Sequence, residues 1–250
     1  MTNALASKVA LVTGGSRGIG AAIVRRLAQD GAAVAFTYGS SAAQAKELES
    51  AVASAGGRAW AMRADSASAD DLRKAVAETV SRFGAIDILV NNAGIGEFKP
   101  AVDLSLEAFD RLMAINVRAV FVASQEATRR MSAAGRGGRI ITIGSTLGER
   151  AGMGGAAAYV ASKAAVAGLA RGLARELGPH GITVNVVEPG PIDTELNPAD
   201  GPGADMQRAM LALPRFGRAV EVAAVVAFLA GPEAGFITGA SYLVDGGFAA

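Results

Sequence analysis

The sequence predicts an α/β fold in which a doubly wound parallel sheet carries helices on both faces. Short apolar segments alternate with longer helical segments along the chain of 250 residues, which is the pattern of repeated β-α units. The segments Val9–Val12, Ile86–Val90 and Ile140–Ile143 are apolar apart from Asp87 and Thr142, as strands buried on both faces of a parallel sheet nearly are. No linker, repeat or low-complexity segment interrupts the alternation, so we expect residues 1–250 to form one domain.

The elements follow one another in the order that such a sheet requires. Short apolar runs predict strands at Lys8–Thr13, Ala32–Tyr38, Arg58–Ala64, Ile86–Asn91, Arg139–Gly144, Ile182–Val187 and Ser241–Val244. The longer segments between them predict helices at Gly18–Asp30, Ala42–Ala55, Ala69–Phe83, Leu106–Met131 (with an interruption), Ala157–Leu177 and Val220–Leu229. The stretch Pro189–Pro202 is rich in Pro, Asp and Gly, and we expect it to belong to a variable substrate loop at about residues 189–216.

Composition excludes several kinds of site. The chain is 51% apolar and 19% charged, with a net charge of +1 and no cysteine. A large core can therefore be buried, and disulfides, iron–sulfur clusters and thiolate zinc sites are excluded. The one histidine, His180, lies between Pro and Gly and is predicted to be an exposed turn residue. We expect no metal site and no nucleic-acid partner.

The expected location is the cytoplasm. The segment Met1–Lys8 lacks a basic region followed by an apolar one, so no signal peptide is predicted. The longest apolar stretches, such as Ala223–Ala230, are too short to span a bilayer. We therefore expect no membrane association.

A glycine-rich segment, Thr13–Gly20, follows the first strand directly and opens the first helix. A bound phosphate needs backbone N–H groups at close range and the positive end of a helix dipole, and glycine permits that approach. The spacing Gly14-x-x-x-Gly18-x-Gly20 differs from the commoner G-x-G-x-x-G but lies at the same junction of a Rossmann-type sheet. The alternative is a glycine-rich turn without a ligand.

The end of the second strand indicates which dinucleotide binds. NAD-selective folds place an acidic residue there for the ribose 2′-OH, whereas Phe36–Ser41 contains no carboxylate. A 2′-phosphate would be favoured by Arg17 and by the hydroxyls of Ser40 and Ser41, which follow Tyr38. We expect NADP(H) in preference to NAD(H); the alternative is that Arg17 is a solvated loop charge.

Tyr159 and Lys163 occupy positions i and i+4 of a predicted helix, where side chains share one face. A free phenol titrates near ~10 and exchanges protons poorly at neutral pH. A neighbouring cation favours the phenolate and makes it a usable acid or base. The pair predicts proton transfer at Tyr159; the alternative is a chance Tyr-x-x-x-Lys, against which the other motifs argue.

Several motifs together resemble the short-chain dehydrogenase/reductase family, from about Lys8 to Gly247. They are the glycine-rich segment, Asn91-Asn92-Ala93-Gly94, Asn116, Ser145, Tyr159 with Lys163, and Pro189-Gly190. The resemblance, which extends to 3-oxoacyl-ACP-reductase-like members, implies an NADP(H)-dependent oxidoreductase. It would transfer a hydride between nicotinamide and a carbonyl or secondary-alcohol substrate of ketone or 3-oxoacyl type. A thioester, a small ketone, a sugar and a steroid all stay open.

The resemblance also implies catalytic roles. Tyr159 would be the general acid/base, Lys163 would assist it and bind the nicotinamide ribose, and Ser145 would hydrogen-bond the substrate carbonyl. Asn116 would hold a water molecule of the proton relay. From the residues alone, Ser145 could equally cap a strand end, and Asn116 could mark a helix kink.

Cofactor contacts are implied along the same edge of the sheet. Asp65 would bind the adenine amino group, although it could instead be the N-cap of the next helix. Ile192 and Thr194 would hold the carboxamide. The implied contacts are Gly14, Ser16, Arg17, Gly18, Ile19, Gly20, Tyr38, Ser40, Ser41, Asp65, Ser66, Asn92, Ala93, Gly94, Tyr159, Lys163, Pro189, Gly190, Ile192 and Thr194.

Two features depart from the usual pattern. The stretch from Ser145 to Tyr159 is slightly longer than usual, which would reshape the substrate mouth without touching the Tyr/Lys pair. Glu188 stands where small or neutral residues are common in the family; it could face the substrate or be solvated. The loop Pro191–Pro202 resembles that of a bacterial branch that includes a cyclic di-GMP-binding biofilm-dispersal protein. A nucleotide-sensing regulator that binds cyclic di-GMP is therefore the alternative function. A Rossmann methyltransferase is a further alternative, but it has no need of the Tyr/Lys pair.

Apolar residues follow this loop and recur in two other segments. These residues predict either a helix packed on the body or a movable lid; they are Met206, Met210, Leu211, Leu213 and Phe216.

Two other segments indicate how subunits would associate. The helix Ala157–Leu177 carries the small residues Ala161, Ala164, Ala165, Gly168 and Gly172, and the closing segment Phe236–Ala250 is apolar. Small residues permit close helix–helix approach, so we expect a homotetramer; the alternative is that they face the sheet of their own subunit.

Overall fold

The computed structural model describes residues 3–250. Met1 and Thr2 lie outside the described residues, so the predictions for the domain 1–250 and for the segment Met1–Lys8 are described only from residue 3 onward. Seven parallel strands form one sheet in the order β3-β2-β1-β4-β5-β6-β9, beside a two-stranded pair, β7-β8. The strands are β1 (Val9–Val12), β2 (Ala33–Tyr38), β3 (Arg58–Arg63), β4 (Ile88–Asn91), β5 (Gly138–Ile143), β6 (Ile182–Pro189), β7 (Ile192–Asp193), β8 (Gly217–Arg218) and β9 (Ser241–Val244).

Helices cover both faces of the sheet. They are α1 (Gly18–Gln29), α2 (Ala42–Ser54), α3 (Ala69–Phe83), α4 (Leu106–Met113), α5 (Ala119–Ala134), α6 (Ala157–Leu177), α7 (Ala204–Ala209) and α8 (Ala219–Ala230). One core cluster joins the sheet to α1, α2 and α8. The other joins it to α3, α5 and α6. The predicted doubly wound α/β fold is confirmed, because strand-forming apolar runs and helical segments lie where the sequence predicts them.

The strand order reverses between β1 and β4. After β1 the chain adds strands on one side of the sheet, after β4 it adds them on the other side, and the loops that leave β1 and β4 start at the same edge. Val12 of β1 pairs with Phe36 of β2 on one side and with Val90 of β4 on the other. In such sheets, ligands bind outside the carboxyl ends of the strands at this switch point. The loops that follow β1, β2, β4, β5 and β6 therefore converge on one cleft.

The predicted helix Leu106–Met131 is in fact two helices joined by one wide turn. The π-helical turn Ala114–Arg118 separates α4 from α5, and the N–H of Ala119 donates to the carbonyl of Ala114, five residues back. The predicted interruption is therefore confirmed, although α5 continues to Ala134. The turn displaces Asn116 into the interior, where it is 2% exposed.

The variable loop has more regular structure than its composition predicts. Pro189 is still part of β6, Ile192–Asp193 forms β7, and Ala204–Ala209 forms α7. The packed interpretation of the apolar residues holds for Leu211 and Phe216, and the movable lid stays a prediction. Ala204, Leu211 and Phe216 are buried against the body, whereas Met206 and Leu213 are exposed.

Candidate active site

The glycine-rich loop packs directly against the segment that follows β4. Gly14 has φ +63°, and a Cβ built there would lie 2.9 Å from the Cα of Ala93. A Cβ on Gly20 would lie 2.3 Å from the carbonyl oxygen of Gly14. Real side chains do not tolerate such contacts, so glycine is required for steric reasons. Arg17 is exposed and Gly18 and Ile19 are half-buried at the start of α1, where a phosphate-binding cradle would lie.

Two threonines that the sequence analysis did not identify hold this loop in place. The Oγ1 of Thr37 accepts a hydrogen bond from the N–H of Gly14 (3.0 Å). The Oγ1 of Thr13 accepts from the N–H groups of Asn92 (3.0 Å) and Ala93 (3.1 Å). The amide of Asn92 donates to the carbonyl of Gly14 (2.8 Å). A hydroxyl residue at the end of an otherwise apolar buried strand is the signal that could have identified both.

The residues predicted to select the 2′-phosphate lie at the ends of β1 and β2. Arg17 is exposed as the N-cap residue of α1, and its side chain makes no capping hydrogen bond. Tyr38 is half-buried, Ser40 is exposed, and Ser41 precedes α2. No carboxylate occurs between Phe36 and Ser41. Arg17, Ser40 and Ser41 thus lie in the loops that follow two neighbouring strands of the sheet.

Asp65 is not a helix cap. The N-cap of α3 is Ser68, whose Oγ accepts from the N–H of Asp71 (3.2 Å). Asp65 is exposed, and its Oδ1 accepts from the N–H of Ala67 (2.9 Å), which makes a local turn after β3. The capping interpretation is therefore wrong, and the carboxylate is presented at the cleft edge together with half-buried Ser66.

Tyr159 and Lys163 lie on one face of α6, as their spacing predicts. The Nζ of Lys163 lies 5.6 Å from the centroid of the Tyr159 ring. The same Nζ donates to the carbonyl of Ile143 at the end of β5 (3.0 Å). A Cβ on Gly94 would lie 3.4 Å from Oδ1 of Asn116 and 3.7 Å from this Nζ. The ammonium is therefore buried, fixed by the sheet and close to both Tyr159 and Asn116.

Asn116 links the wide turn to the loop after β4 and to α6. Its Oδ1 accepts from the N–H of Ile95 (2.9 Å), and its Nδ2 donates to the carbonyl of Ile95 (2.9 Å). The Nδ2 also donates to Oγ of Ser162 (3.1 Å), and that hydroxyl donates to the carbonyl of Tyr159 (2.7 Å). Asn116 thus lies in the wide turn and is also a neighbour of Tyr159 and Lys163. The sequence analysis did not identify Ser162, which lies inside the Tyr159–Lys163 motif.

Ser145 follows β5 at the floor of the cleft. Its Oγ accepts from the N–H of Leu147 (3.2 Å), so it caps the short 3₁₀ turn Thr146–Gly148. This turn packs on α6, because a Cβ on Gly148 would lie 3.0 Å from the carbonyl carbon of Lys163. The capping interpretation is therefore correct in geometry, and it leaves the hydroxyl hydrogen of Ser145 available to a substrate oxygen.

The far side of the cleft is apolar. Phe98, which the sequence analysis did not identify, lies over Tyr159 with ring centroids 5.2 Å apart, and it is 53% exposed. Ile192 points into the core, so only its backbone can contact a ligand. Thr194 reaches across to the glycine-rich loop, where a Cβ on Gly18 would lie 3.4 Å from its methyl group.

Three further predictions concern metals, membranes and His180. Within residues 3–250, no group of three or more His, Asp or Glu side chains could hold a metal ion. None of the described helices is long and apolar enough to cross a bilayer. His180 ends the short turn Gly178–His180 and is exposed, as predicted.

This geometry defines an α/β protein of dinucleotide-binding type in which Tyr159 and Lys163 lie side by side near the switch point of the sheet. The family model described as enoyl-(acyl carrier protein) reductase matches residues 14–249. The cyclic-di-GMP-binding biofilm dispersal mediator protein of Escherichia coli K12 is 52% identical, over 99% of both chains. The chain belongs to the short-chain dehydrogenase/reductase family, and the methyltransferase alternative is therefore wrong.

Solved structures of the same family superpose closely. A short-chain dehydrogenase/reductase from Serratia marcescens is 56% identical with a TM-score of 0.95, covering 99% of this chain and 100% of that one. A short chain dehydrogenase from Burkholderia cenocepacia J2315, solved in complex with NADP, is 51% identical with a TM-score of 0.96, over 99% and 100% of the two chains. The resemblance inferred from the motifs is confirmed.

Proposed function

We propose that this protein is an NADP(H)-dependent oxidoreductase that interconverts a carbonyl group and a secondary alcohol. The observation that carries the proposal is the placement of Tyr159, Lys163, Asn116 and Ser145 around one cleft at the switch point of the sheet. Such a set supplies proton transfer and carbonyl recognition together.

The cleft fits the cofactor. Glycine is sterically required at Gly14 and Gly20, because a Cβ there would collide with Ala93 and with the carbonyl of Gly14, and the tight loop that results opens α1, where a phosphate would meet backbone N–H groups. Arg17, Ser40 and Ser41 form an edge suited to a 2′-phosphate, and similar structures from this family bind NADP or NADPH. When bound, NADP(H) supplies or accepts the hydride. Lys163 would contact the nicotinamide ribose, and Asp65 the adenine.

Residues of this chain supply and accept the proton that moves to or from the substrate oxygen. In reduction, the Tyr159 hydroxyl donates its proton to the substrate oxygen while the hydroxyl of Ser145 hydrogen-bonds that oxygen. Lys163, held by the carbonyl of Ile143, stabilises the resulting phenolate. Asn116 is anchored on both sides by Ile95 and can hold water next to Lys163. Alcohol oxidation uses the same groups in the opposite direction.

The substrate side favours an apolar ketone or a 3-oxoacyl group, because Phe98 adjoins Tyr159 and the exposed Met206 and Leu213 follow the loop. NADPH oxidation against a panel of ketones, 3-oxoacyl thioesters, sugars and steroids tests this. Tyr159→Phe is the matched negative control for each compound. The absence of any Tyr159-dependent turnover across the panel would contradict the proposal.

Cyclic di-GMP binding is the second candidate, because the 52% identical Escherichia coli relative carries that activity in its name. The ligand would act as a regulator or competitor on the same fold. Calorimetric titration of cyclic di-GMP, with and without saturating NADPH, tests this candidate. Heat that disappears when NADPH is present indicates a shared site, and no heat in either titration contradicts the candidate.

We also propose a homotetramer. Ala161, Ala164, Gly168 and Gly172 are exposed on α6, so the interpretation that these face their own sheet is wrong; Ala165 is half-buried. Phe236 is fully exposed near the C-terminal strand. Exposed apolar and small residues on two surfaces favour association about two-fold axes. Light scattering checks the oligomeric state. A stable monomer at micromolar concentration would contradict the proposal, and a dimer would show that only one of the two interfaces forms.

A further inference from the structure

Glu188 is a buried carboxyl group that the proposed function leaves without a role. It stands near the end of β6, where the sequence departs from the small or neutral residues common in the family. The expectation that it is solvated is wrong, because Glu188 is 1% exposed. Within residues 3–250, its Oε2 has no hydrogen-bond partner. A buried polar group left incompletely paired costs free energy, so its presence requires a reason.

Glu188 lies beneath the helix that carries the catalytic pair. Side chains alternate along a strand, so Glu188 shares a face of β6 with Val186. Val186 packs in the same cluster as Ala170 and Ala174 of α6. The Glu188 side chain is therefore enclosed between the sheet and α6.

The space for this side chain comes from the strand end that also anchors Lys163. A Cβ on Gly144 would lie 3.1 Å from the Cγ of Glu188. The N–H of Gly144 donates to the carbonyl of Val187 (2.8 Å). The preceding carbonyl, that of Ile143, accepts the hydrogen bond from the ammonium of Lys163 (3.0 Å). Glu188 and Lys163 thus flank the same turn of backbone.

Charged and polar groups face Glu188 from each neighbouring element. Burial is the main cause that raises the pKa of Glu188, and the charge of Glu149 raises it further. Ser241 on β9 and, to a smaller extent, the charges of Arg171 and Lys163 on α6 lower this pKa. Lys163 is therefore one of the charged groups that act on this carboxyl group.

We propose that Glu188 is a positioning residue for Lys163: from its place between the sheet and α6, it sets how strongly the ammonium of Lys163 favours the ionised form of Tyr159. The inference rests on the proposed function of Tyr159 and Lys163. An ionised Glu188 offsets part of the positive potential of Lys163 at the phenol, whereas a neutral Glu188 leaves that potential intact. The pH dependence of proton transfer in this protein would thereby differ from that of relatives with an uncharged residue at this position.

Glu188→Gln tests the proposal because it keeps the shape and removes the charge. The measurement is the ultraviolet titration of tyrosine ionisation in the full chain without cofactor, with Tyr159→Phe identifying the Tyr159 transition. We expect that transition to move to lower pH by about half a unit or more, the scale of one nearby charge. Glu149→Gln, the same change at an exposed site, should move it less because solvent screens the charge. Coincident curves for Glu188→Gln and the native chain would overturn the proposal.

Glu188→Ala separates charge from shape. If it moves the Tyr159 transition while Glu188→Gln does not, space filling is responsible and the proposal is wrong. Folding is checked by the melting temperature. A buried acid with a raised pKa contributes stability below its ordinary range and loses it as the pH rises. Glu188→Gln should therefore melt higher than the native chain at neutral pH, with the difference vanishing in acid.

The titration also distinguishes this inference from the proposed function. It needs neither cofactor nor substrate, so a protein inactive on every carbonyl would contradict the proposed function and leave the titration interpretable. In an active protein, the pH midpoint of alcohol oxidation should move in the same direction as the Tyr159 transition in Glu188→Gln. Opposite movement would overturn the inference alone.

Discussion

On the cofactor side of the cleft, backbone packs against backbone, whereas on the substrate side exposed side chains surround the opening. Gly14 and Gly20 of the glycine-rich loop admit no side chain. The hydroxyl groups of Thr13, at the start of this loop, and of Thr37, on β2, hold the loop in place. Across the cleft, Phe98 and Met206 project into solvent. The cofactor side is therefore expected to tolerate little change, whereas the substrate side can change specificity at little cost in stability.

The largest expected effect concerns the group that the two sides share. Tyr159→Phe keeps the ring that contacts Phe98 but removes the transferable proton. We expect kcat to fall by at least ~10²-fold, the scale of general acid–base catalysis, with NADPH affinity retained. Steady-state kinetics and NADPH titration measure the two effects. Tyr242→Phe, a tyrosine of β9 outside the cleft, is the control, and near-normal turnover by Tyr159→Phe would remove Tyr159 from its role.

A substitution at Gly20 tests the rigidity of the cofactor side. In Gly20→Ala the new methyl group would meet the carbonyl of Gly14 at 2.3 Å and the amide of Asn92 at 2.6 Å. We expect a loss of about 1–3 kcal/mol in stability from overpacking, together with weaker NADPH binding. Gly178→Ala, where nothing lies within 4 Å of the added Cβ, should leave both unchanged. Equal melting temperatures and affinities for the two variants would contradict the comparison.

Arg17 tests how the cofactor side selects its ligand. Arg17→Ala should reduce the preference for NADPH over NADH by about tenfold, because a charge-assisted hydrogen bond contributes about 1.5–3 kcal/mol. Affinities for both cofactors measure the ratio. Arg25→Ala removes an exposed charge elsewhere on α1 and should keep the preference. A native protein that binds NADH as tightly as NADPH would show the argument from the missing acid to be wrong.

The smallest effect on stability is expected on the substrate side. Met206 is 68% exposed on α7, so Met206→Ala should change stability by less than about 0.5 kcal/mol. If the segment closes over substrate, KM for bulky ketones should change while KM for the smallest ones does not. Thermal unfolding and kinetics on a size series check this. A large drop in melting temperature would mean that this segment is as constrained as the glycine-rich loop.

Some features of the molecule follow from local sequence patterns, whereas others depend on contacts between distant elements, and only the first kind could be predicted from the sequence. Apolar strands, the glycine spacing and the Tyr159/Lys163 pair each follow from one local rule, so the fold, the cofactor cradle and the face of α6 were predictable. Thr37 was not, because its contact with the glycine-rich loop depends on the pairing of β1 with β2. The environment of Glu188 depends on Gly144 of another strand and on α6, so sequence alone left it between solvent and substrate. The roles assigned to individual site residues stay predictions until they are measured.

The wide turn at Asn116 has a consequence for how this protein can vary. A regular helix advances about 100° per residue, and the turn Ala114–Arg118 adds roughly one residue to the winding. Deleting one residue there would close the segment into a regular helix and remove the wide turn that places Asn116 against Ile95 and Ser162. Insertions and deletions within this helical segment should therefore be selected against far more strongly than substitutions, and natural length variation should accumulate in the segment between β6 and α8 instead.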